Sequence, residues 1–249
     1  MSEVNKERRH LLGAGAAVAG LVVAPGVFLV TAGKGRADEE AGESGPQWGK
    51  VRWGMLVDTA KCSSGCTQCV SACDKENHLS GETLPTSSQW IRKMELTDRE
   101  TGKNYSLPMM CQHCDNPPCV DVCPTGASFK RWDGIVSVDR HLCIGCRYCL
   151  MACPYKARSF VHHPVTDQNP DVPRGQGCAE SCDFCKHRID EGQIPACVEA
   201  CGSTGGGALL FGDLNDPKSE ISQRVATIAT LQVRADLGTE PAVRYEGIL

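Results

Sequence analysis

Aromatic residues are scarce in this 249-residue chain. Phe, Trp and Tyr make up 5% of it, beside 41% hydrophobic residues in all, 26 glycines and 14 prolines. That mix suits a loop-rich protein with a modest core, arranged as one large domain or two small ones. Positive charge is not in excess: the formal net charge is −4 and the pI lies near 6.0, so nothing in it supports nucleic-acid binding. No acid–base pair, nucleophile or phosphate-binding loop stands out. Beyond residue 32 or so there is no apolar run long enough to span a bilayer.

The N-terminus does hold such a run. Paired Arg8 and Arg9 precede an apolar stretch rich in Gly and Ala from Leu11 to about Ala32, and Ala37 offers a small-residue cleavage point before Asp38. The pattern resembles a twin-arginine export signal, which carries folded cargo across the bacterial inner membrane to the periplasm. Its length also suits a retained anchor helix, and the two readings are compatible. Residues 1–37 are thus a signal or anchor, and 38–50 a polar linker. Removal through Ala37 takes five basic and two acidic residues, leaving a formal charge of about −7.

What the chain has in quantity is cysteine, 17 in all. Sixteen fall into four runs. The first is Cys62, Cys66, Cys69 and Cys73, and the second Cys111, Cys114, Cys119 and Cys123. The third is Cys143, Cys146, Cys149 and Cys153, and the fourth Cys182, Cys185, Cys197 and Cys201. The third, "CIGCRYCLMACP", has the bacterial ferredoxin spacing C-x2-C-x2-C-x3-C-P. Three cysteines on such a tight loop can each point at one corner of a cubane. The fourth, about a helical turn further on, points away and can serve a neighbouring cluster. Gly145 lets the backbone bend close to the metal, and Pro154 stops the helix. Disulfides are the default for an exported protein, but cysteines three apart rarely meet bridge geometry. Zinc sites use separated pairs of cysteines. The spacing therefore points to iron–sulfur clusters, inserted before a folded-cargo export route is taken.

The runs form an internal repeat. Between the second and third, "ASFKRWDGIVSVD" reads as two short strands about a turn at Asp133-Gly134. That is the layout of a two-cluster ferredoxin. Runs one and four form a second such unit around it, with strand candidates "VRWGMLVD" before and "GALLFGDL" after. The fold class is α+β: two nested, ferredoxin-like (βαβ-type) two-cluster units, loop-rich. The inserted inner unit is 106–164, and the outer unit is 51–105 with 165–249. A helix is predicted after the Asp216 cap and Pro217, packing through Ile221, Val225 and Ile228.

Over residues 51–245 or so the chain resembles the four-cluster iron–sulfur subunits of membrane-bound bacterial oxidoreductases for dimethyl sulfoxide, polysulfide, tetrathionate and formate. The segments "CQHCDNPPCVDVCPTGA", "CIGCRYCLMACPY", "CDFCKHRIDEGQIPACVEAC", "GALLFGDLNDPKSEIS" and "ADLGTEPAVRY" carry the likeness. Within that family it looks most like the periplasmic DsrO-type subunit of the sulfite-reductase-associated Dsr membrane complex, on its leader, "WGMLVDTAKC" and first run. The resemblance implies a wire of four 4Fe–4S clusters in a non-catalytic subunit. It also implies an integral membrane quinone-interacting partner of the polysulfide-reductase type, plus a cytochrome c or catalytic subunit. A periplasmic molybdopterin reductase for polysulfide, tetrathionate or a similar substrate is the alternative setting. A structural zinc-binding module is a third, and it predicts a colourless protein.

Crossed ligation, as in two-cluster ferredoxins, assigns Cys111, Cys114, Cys119 and Cys153 to one cluster and Cys143, Cys146, Cys149 and Cys123 to a second. A third takes Cys62, Cys66, Cys69 and Cys201, and the last Cys182, Cys185, Cys197 and Cys73. With all sixteen thiols present, no three-iron cluster is expected. Run one opens C-x3-C, and Gly202 follows Cys201 where relatives usually have Pro, so an atypical potential is expected of that cluster. Cys178 is either a spare thiol or a substitute ligand or redox group, and the complete count favours the spare. Lys61, Arg147, Lys156, Arg158, Lys186 and Arg188 flank the runs, as cluster-facing cations or solvated charges. His113 and His187 lie beside cysteines rather than in place of them, which argues against a Rieske role. His162-His163 reads as surface.

Overall fold

The computed structural model describes residues 49–79, 86–166 and 168–248, and the backbone of 20–24 and 27–30. Residues 1–46 and 47–249 form two compact units. In the first, β1 (Gly20–Ala24) pairs antiparallel with β2 (Val27–Val30). Within the stretch expected to serve as signal or anchor, these nine described residues are extended, and four of them are valines, β-branched and suited to a strand. Arg8, Arg9, the Ala37 cleavage point and the linker as far as Trp48 lie outside the described residues. Among the described residues no helix is long and apolar enough to cross a membrane.

In the larger unit the chain runs β3 (Trp53–Asp58), α1 (Gln68–Glu76), β4 (Arg92–Thr97), β5 (Asn104–Met109), α2 (Pro118–Asp121), β6 (Ser128–Lys130) and β7 (Val136–Val138). It continues through α3 (Tyr148–Ala152), β8 (Ser159–Phe160), β9 (Ala179–Glu180), α4 (Lys186–Asp190), α5 (Ala196–Ser203), β10 (Leu209–Asp213), α6 (Glu220–Thr227), β11 (Thr230–Leu231) and β12 (Val243–Glu246). Small sheets and short helices make a mixed α+β fold, as the sequence predicts. The widest sheet has the order β10-β3-β12-β11. Its central β3 is antiparallel to β10, with Met55 opposite Phe211, and parallel to β12, with Met55 opposite Val243. Met55, Leu56 and Val57 are almost wholly buried, as a central strand covered on both faces requires.

The hairpin β6–β7 turns at Gly134, whose φ of 86° only glycine adopts freely. Helix α6 starts three residues later than predicted. Ser219, not Asp216, is its cap, its Oγ accepting the N–H of Ser222. Asp216 instead closes the preceding turn through the N–H of Lys218. Ile221 is buried against β10, where a side chain in place of the hydrogen of Gly212 would meet it at 3.0 Å. Ile228 lies past the helix end and is exposed.

Helix α1 packs against α5, and α2 against α3. Runs one and four therefore meet, as do runs two and three. Strand pairs nevertheless cross the expected boundaries. The cut at 105/106 falls inside β5, which pairs with β4 in a hairpin the sequence reading missed. The cut at 164/165 separates β8 from its partner β9. Both cuts divide paired strands.

Candidate iron–sulfur centres

All seventeen thiols are free, and fifteen of the sixteen run cysteines are buried or half-buried. The fold brings thiols of different runs close to one another. Cys69 is influenced by Cys62, Cys66 and Cys201. Cys182 is influenced by Cys73, Cys185 and Cys197. Cys111, Cys114, Cys119 and Cys153 line one small pocket. Cys123, Cys143, Cys146 and Cys149 line another. Among the described residues, no three His, Cys, Asp or Glu side chains converge on one point, as a single metal ion would demand. The thiols stand around voids instead, which fits a polynuclear group.

Burial pushes the Cys69 thiol up to about 11 and that of Cys111 up to about 12, and raises Cys73 and Cys182 well above the ordinary thiol value. Such thiols keep their protons until a metal displaces them, so cluster binding must release protons.

One backbone device recurs in every run. The residue just before the second cysteine is left-handed: Gly65, His113, Gly145 and Phe184. This conformation pinches the loop into a tight bend, of the kind whose successive N–H groups can form an anion-binding concavity. The extra residue of run one is thus absorbed ahead of Gly65, and the pinch is kept. His113 and Phe184 adopt it without being glycine. They stack on each other with centroids 3.7 Å apart, and the N–H of Val136 reaches His113 Nδ1 at 3.0 Å. Burial lowers the His113 pKa to about 3, keeping the ring neutral. Its role in the fold is therefore packing and acceptance.

The fourth thiol of each run accepts a hydrogen bond. Ser128 N–H donates to Cys123 at 3.3 Å, Ala157 N–H to Cys153 at 3.5 Å and Ala208 N–H to Cys201 at 3.2 Å. Cys73 takes its bond from the Asn77 side chain, at 3.5 Å. In place of the usual proline, Gly202 lets α5 continue to Ser203, so Cys201 sits inside a helix rather than after one. Gly205 is pressed against it: a Cβ there would lie 2.9 Å from Cys201 Cα.

Of the six flanking cations named from sequence, Arg158 reaches a run thiol, its Nη2 donating to Cys119 at 3.2 Å. Lys61 pairs with Asp58 at 3.2 Å, Arg188 with Glu76 at 3.1 Å, and Arg147 lies over the Phe160 ring. Lys186 turns to Ser137, and Lys156 is exposed. His187 pairs with Glu76 and makes no approach to a void. His162 and His163 are exposed, as expected. Sequence reasoning missed Lys93, whose Nζ donates to Cys62 at 3.0 Å from a strand 31 residues away. Cys178 is buried, and its thiol donates to the carbonyl of Arg140 at 3.3 Å. The next N–H, of Ala179, donates to Cys143 at 3.5 Å. Residues 178–180 therefore belong beside run three, although they fall in the expected outer unit.

Two models described as a 4Fe-4S dicluster domain match residues 58–127 and 103–214. The Hdr-like menaquinol oxidoreductase iron-sulfur subunit 1 of Archaeoglobus fulgidus is 44% identical over an alignment of 266 positions that covers 96% of each chain. The present chain thus belongs to this 4Fe-4S dicluster iron–sulfur subunit family. Other dicluster relatives include a tetrathionate reductase subunit of Salmonella typhimurium, 41% identical over 79% of this chain and 73% of the relative. A polysulfide reductase chain of Wolinella succinogenes is 41% identical over 76% of this chain and 91% of its own. Like them, this dicluster subunit is an electron-transfer component of a membrane oxidoreductase. Its two dicluster domains and sixteen cluster-type cysteines make four 4Fe–4S clusters its cofactors. The thiol-lined cavities fit that group. So does the buried Arg158 edge, whose Nε and Nη1 have no partner among the described residues.

Proposed function

We propose that the chain is an exported four-cluster wire between an integral membrane quinone-interacting subunit and a catalytic subunit. What supports this is that side chains of successive expected quartets neighbour one another. Cys197 of the second quartet feels Cys69 of the first. The His113–Phe184 stack joins the loops of the second and third. Cys149 of the fourth feels Cys119 of the third. This order follows the crossed ligand sets expected from sequence, and the α1–α5 and α2–α3 packing supports the nested arrangement of the two units. When bound, the clusters supply one-electron chemistry. The protein's part is to hold them in series, exclude water and set their potentials.

The two ends differ in chemistry. At the fourth quartet Cys146 is the one exposed run thiol, and Leu142, Ile144, Tyr148, Met151 and Val122 form an exposed apolar rim, Ile144 and Met151 being 67% and 68% accessible. A patch of this kind marks a protein interface, and its apolarity suits a membrane subunit. At the first quartet Lys93 and Lys61 accompany half-buried Cys62 and Cys66, which suits a polar partner such as a catalytic subunit or cytochrome c.

Two settings compete. The names of the tetrathionate and polysulfide relatives support a reductase complex better than the Dsr complex, and none of these relatives is a Dsr subunit by name. The relative that aligns over 96% of both chains supports a menaquinol-linked complex. Mass spectrometry of proteins that co-purify from solubilised membranes tests the setting. A molybdopterin subunit places the wire in a reductase, and Dsr subunits place it in the Dsr complex. Recovery of the chain alone would overturn the wire. Ile144→Glu is expected to abolish capture of the membrane subunit while all four clusters remain, because it buries a charge in an apolar contact. Lys93→Met is expected to lower the potential of the Cys62 cluster alone, read by redox-titrated paramagnetic resonance, because a cation beside a thiolate favours the more negative reduced state.

A further inference from the structure

Arg158 is 7% exposed and makes no ion pair with a carboxylate among the described residues. Its Nη2 donates to Cys119 Sγ at 3.2 Å and to Ser128 Oγ at 2.8 Å. The N–H of the same Ser128 donates to Cys123 Sγ at 3.3 Å. Cys119 belongs to the third quartet and Cys123 to the fourth, so a guanidinium and one serine bridge two neighbouring centres. Arg158 also lines the Cys111 cavity, and its two remaining buried N–H sites lack partners. A guanidinium buried without a counter-charge is strongly disfavoured. Four thiolates around an iron–sulfur cubane carry the missing negative charge, and here two such groups flank one cation.

We propose that Arg158 is a shared positioning cation that raises the reduction potentials of the third and fourth clusters together, keeping that half of the wire level. The inference rests on the cluster assignment in the proposed function and adds a role for one residue. A fixed positive charge stabilises the reduced, more negative form of each cluster. Because Arg158 stands between the two, neutralising it lowers both potentials, while the clusters of runs one and four, which it does not touch, stay where they are.

The test is a redox titration of Arg158→Gln in the full chain, followed by paramagnetic resonance, with signals assigned by single cysteine variants. Two of the four midpoints are expected to fall, each by a tenfold or larger change in the reduced-to-oxidised ratio at fixed potential, about 59 mV for one electron. Arg158→Lys, which keeps the charge, is expected to restore most of that shift. Movement of none, one or all four midpoints overturns the proposal. Iron analysis separates the two claims: full iron with unmoved potentials removes the role of Arg158 and leaves the cluster reading standing. Should Arg158→Gln fail to hold iron, wild-type protein labelled with 15N-arginine decides. A hyperfine coupling from guanidinium nitrogen to the reduced third cluster supports the proposal, and its absence overturns it.

Discussion

Cys197→Ala is expected to remove one to four irons per molecule and to cut electron throughput by on the order of a hundredfold, equivalent to about 2.7 kcal/mol of added barrier. Cys197 is 4% exposed on α5, where it faces the thiols of Cys185 and Cys69. A wire in series fails at its weakest step, so one lost interior cluster stops flow although three remain. The matched control is Cys178→Ala. That thiol is also buried, but it bonds to a backbone carbonyl and stands outside the quartets. Full iron and full throughput are expected of it. Iron analysis and single-turnover oxidation of the reduced complex check both. If Cys178→Ala lost a cluster and Cys197→Ala kept all four, the quartets would be wrong.

Gly145→Ala is expected to cost about 3 kcal/mol or more and to remove the Cys143 cluster selectively. Two causes add. Gly145 has a φ of 72°, which an L side chain adopts only with strain, and a Cβ there would lie 2.4 Å from the carbonyl oxygen of Gly177. That neighbour is backbone, so no rotamer change relieves the clash. Gly65→Ala supplies the contrast. Its φ of 75° is nearly the same, but a Cβ would meet nothing within 4 Å. The strain alone costs about 1 kcal/mol, and the Cys62 cluster is expected to survive. Thermal unfolding and the count of paramagnetic signals distinguish the two. Equal losses in both variants would show that conformation, not crowding, governs the pinch.

The parts of the site that were legible in the sequence are those set by short-range spacing. The sixteen cysteines, the Asp133-Gly134 hairpin, β3 and β10 all follow from local patterns. The pinch residue was half-legible, since Gly65 and Gly145 signal it while His113 and Phe184 do not. Those two escape notice because their support is each other, across 71 positions of sequence. Lys93 and the bridging geometry of Arg158 were hidden for the same reason: each meets its thiol across more than 30 residues. The start of α6 was misplaced because Asp216-Pro217 and Ser219 are both good starting signals, and the turn closed by Asp216 decided between them.

The packing of α1 against α5 brings together helices whose first residues, Gln68 and Ala196, stand 128 positions apart. On the proposed pairing, the cage begun by Cys62 is completed only by Cys201, so the ribosome must pass nearly the whole polypeptide before iron can be locked in. On that pairing, a product arrested or truncated before Cys201 emerges without its outer metal.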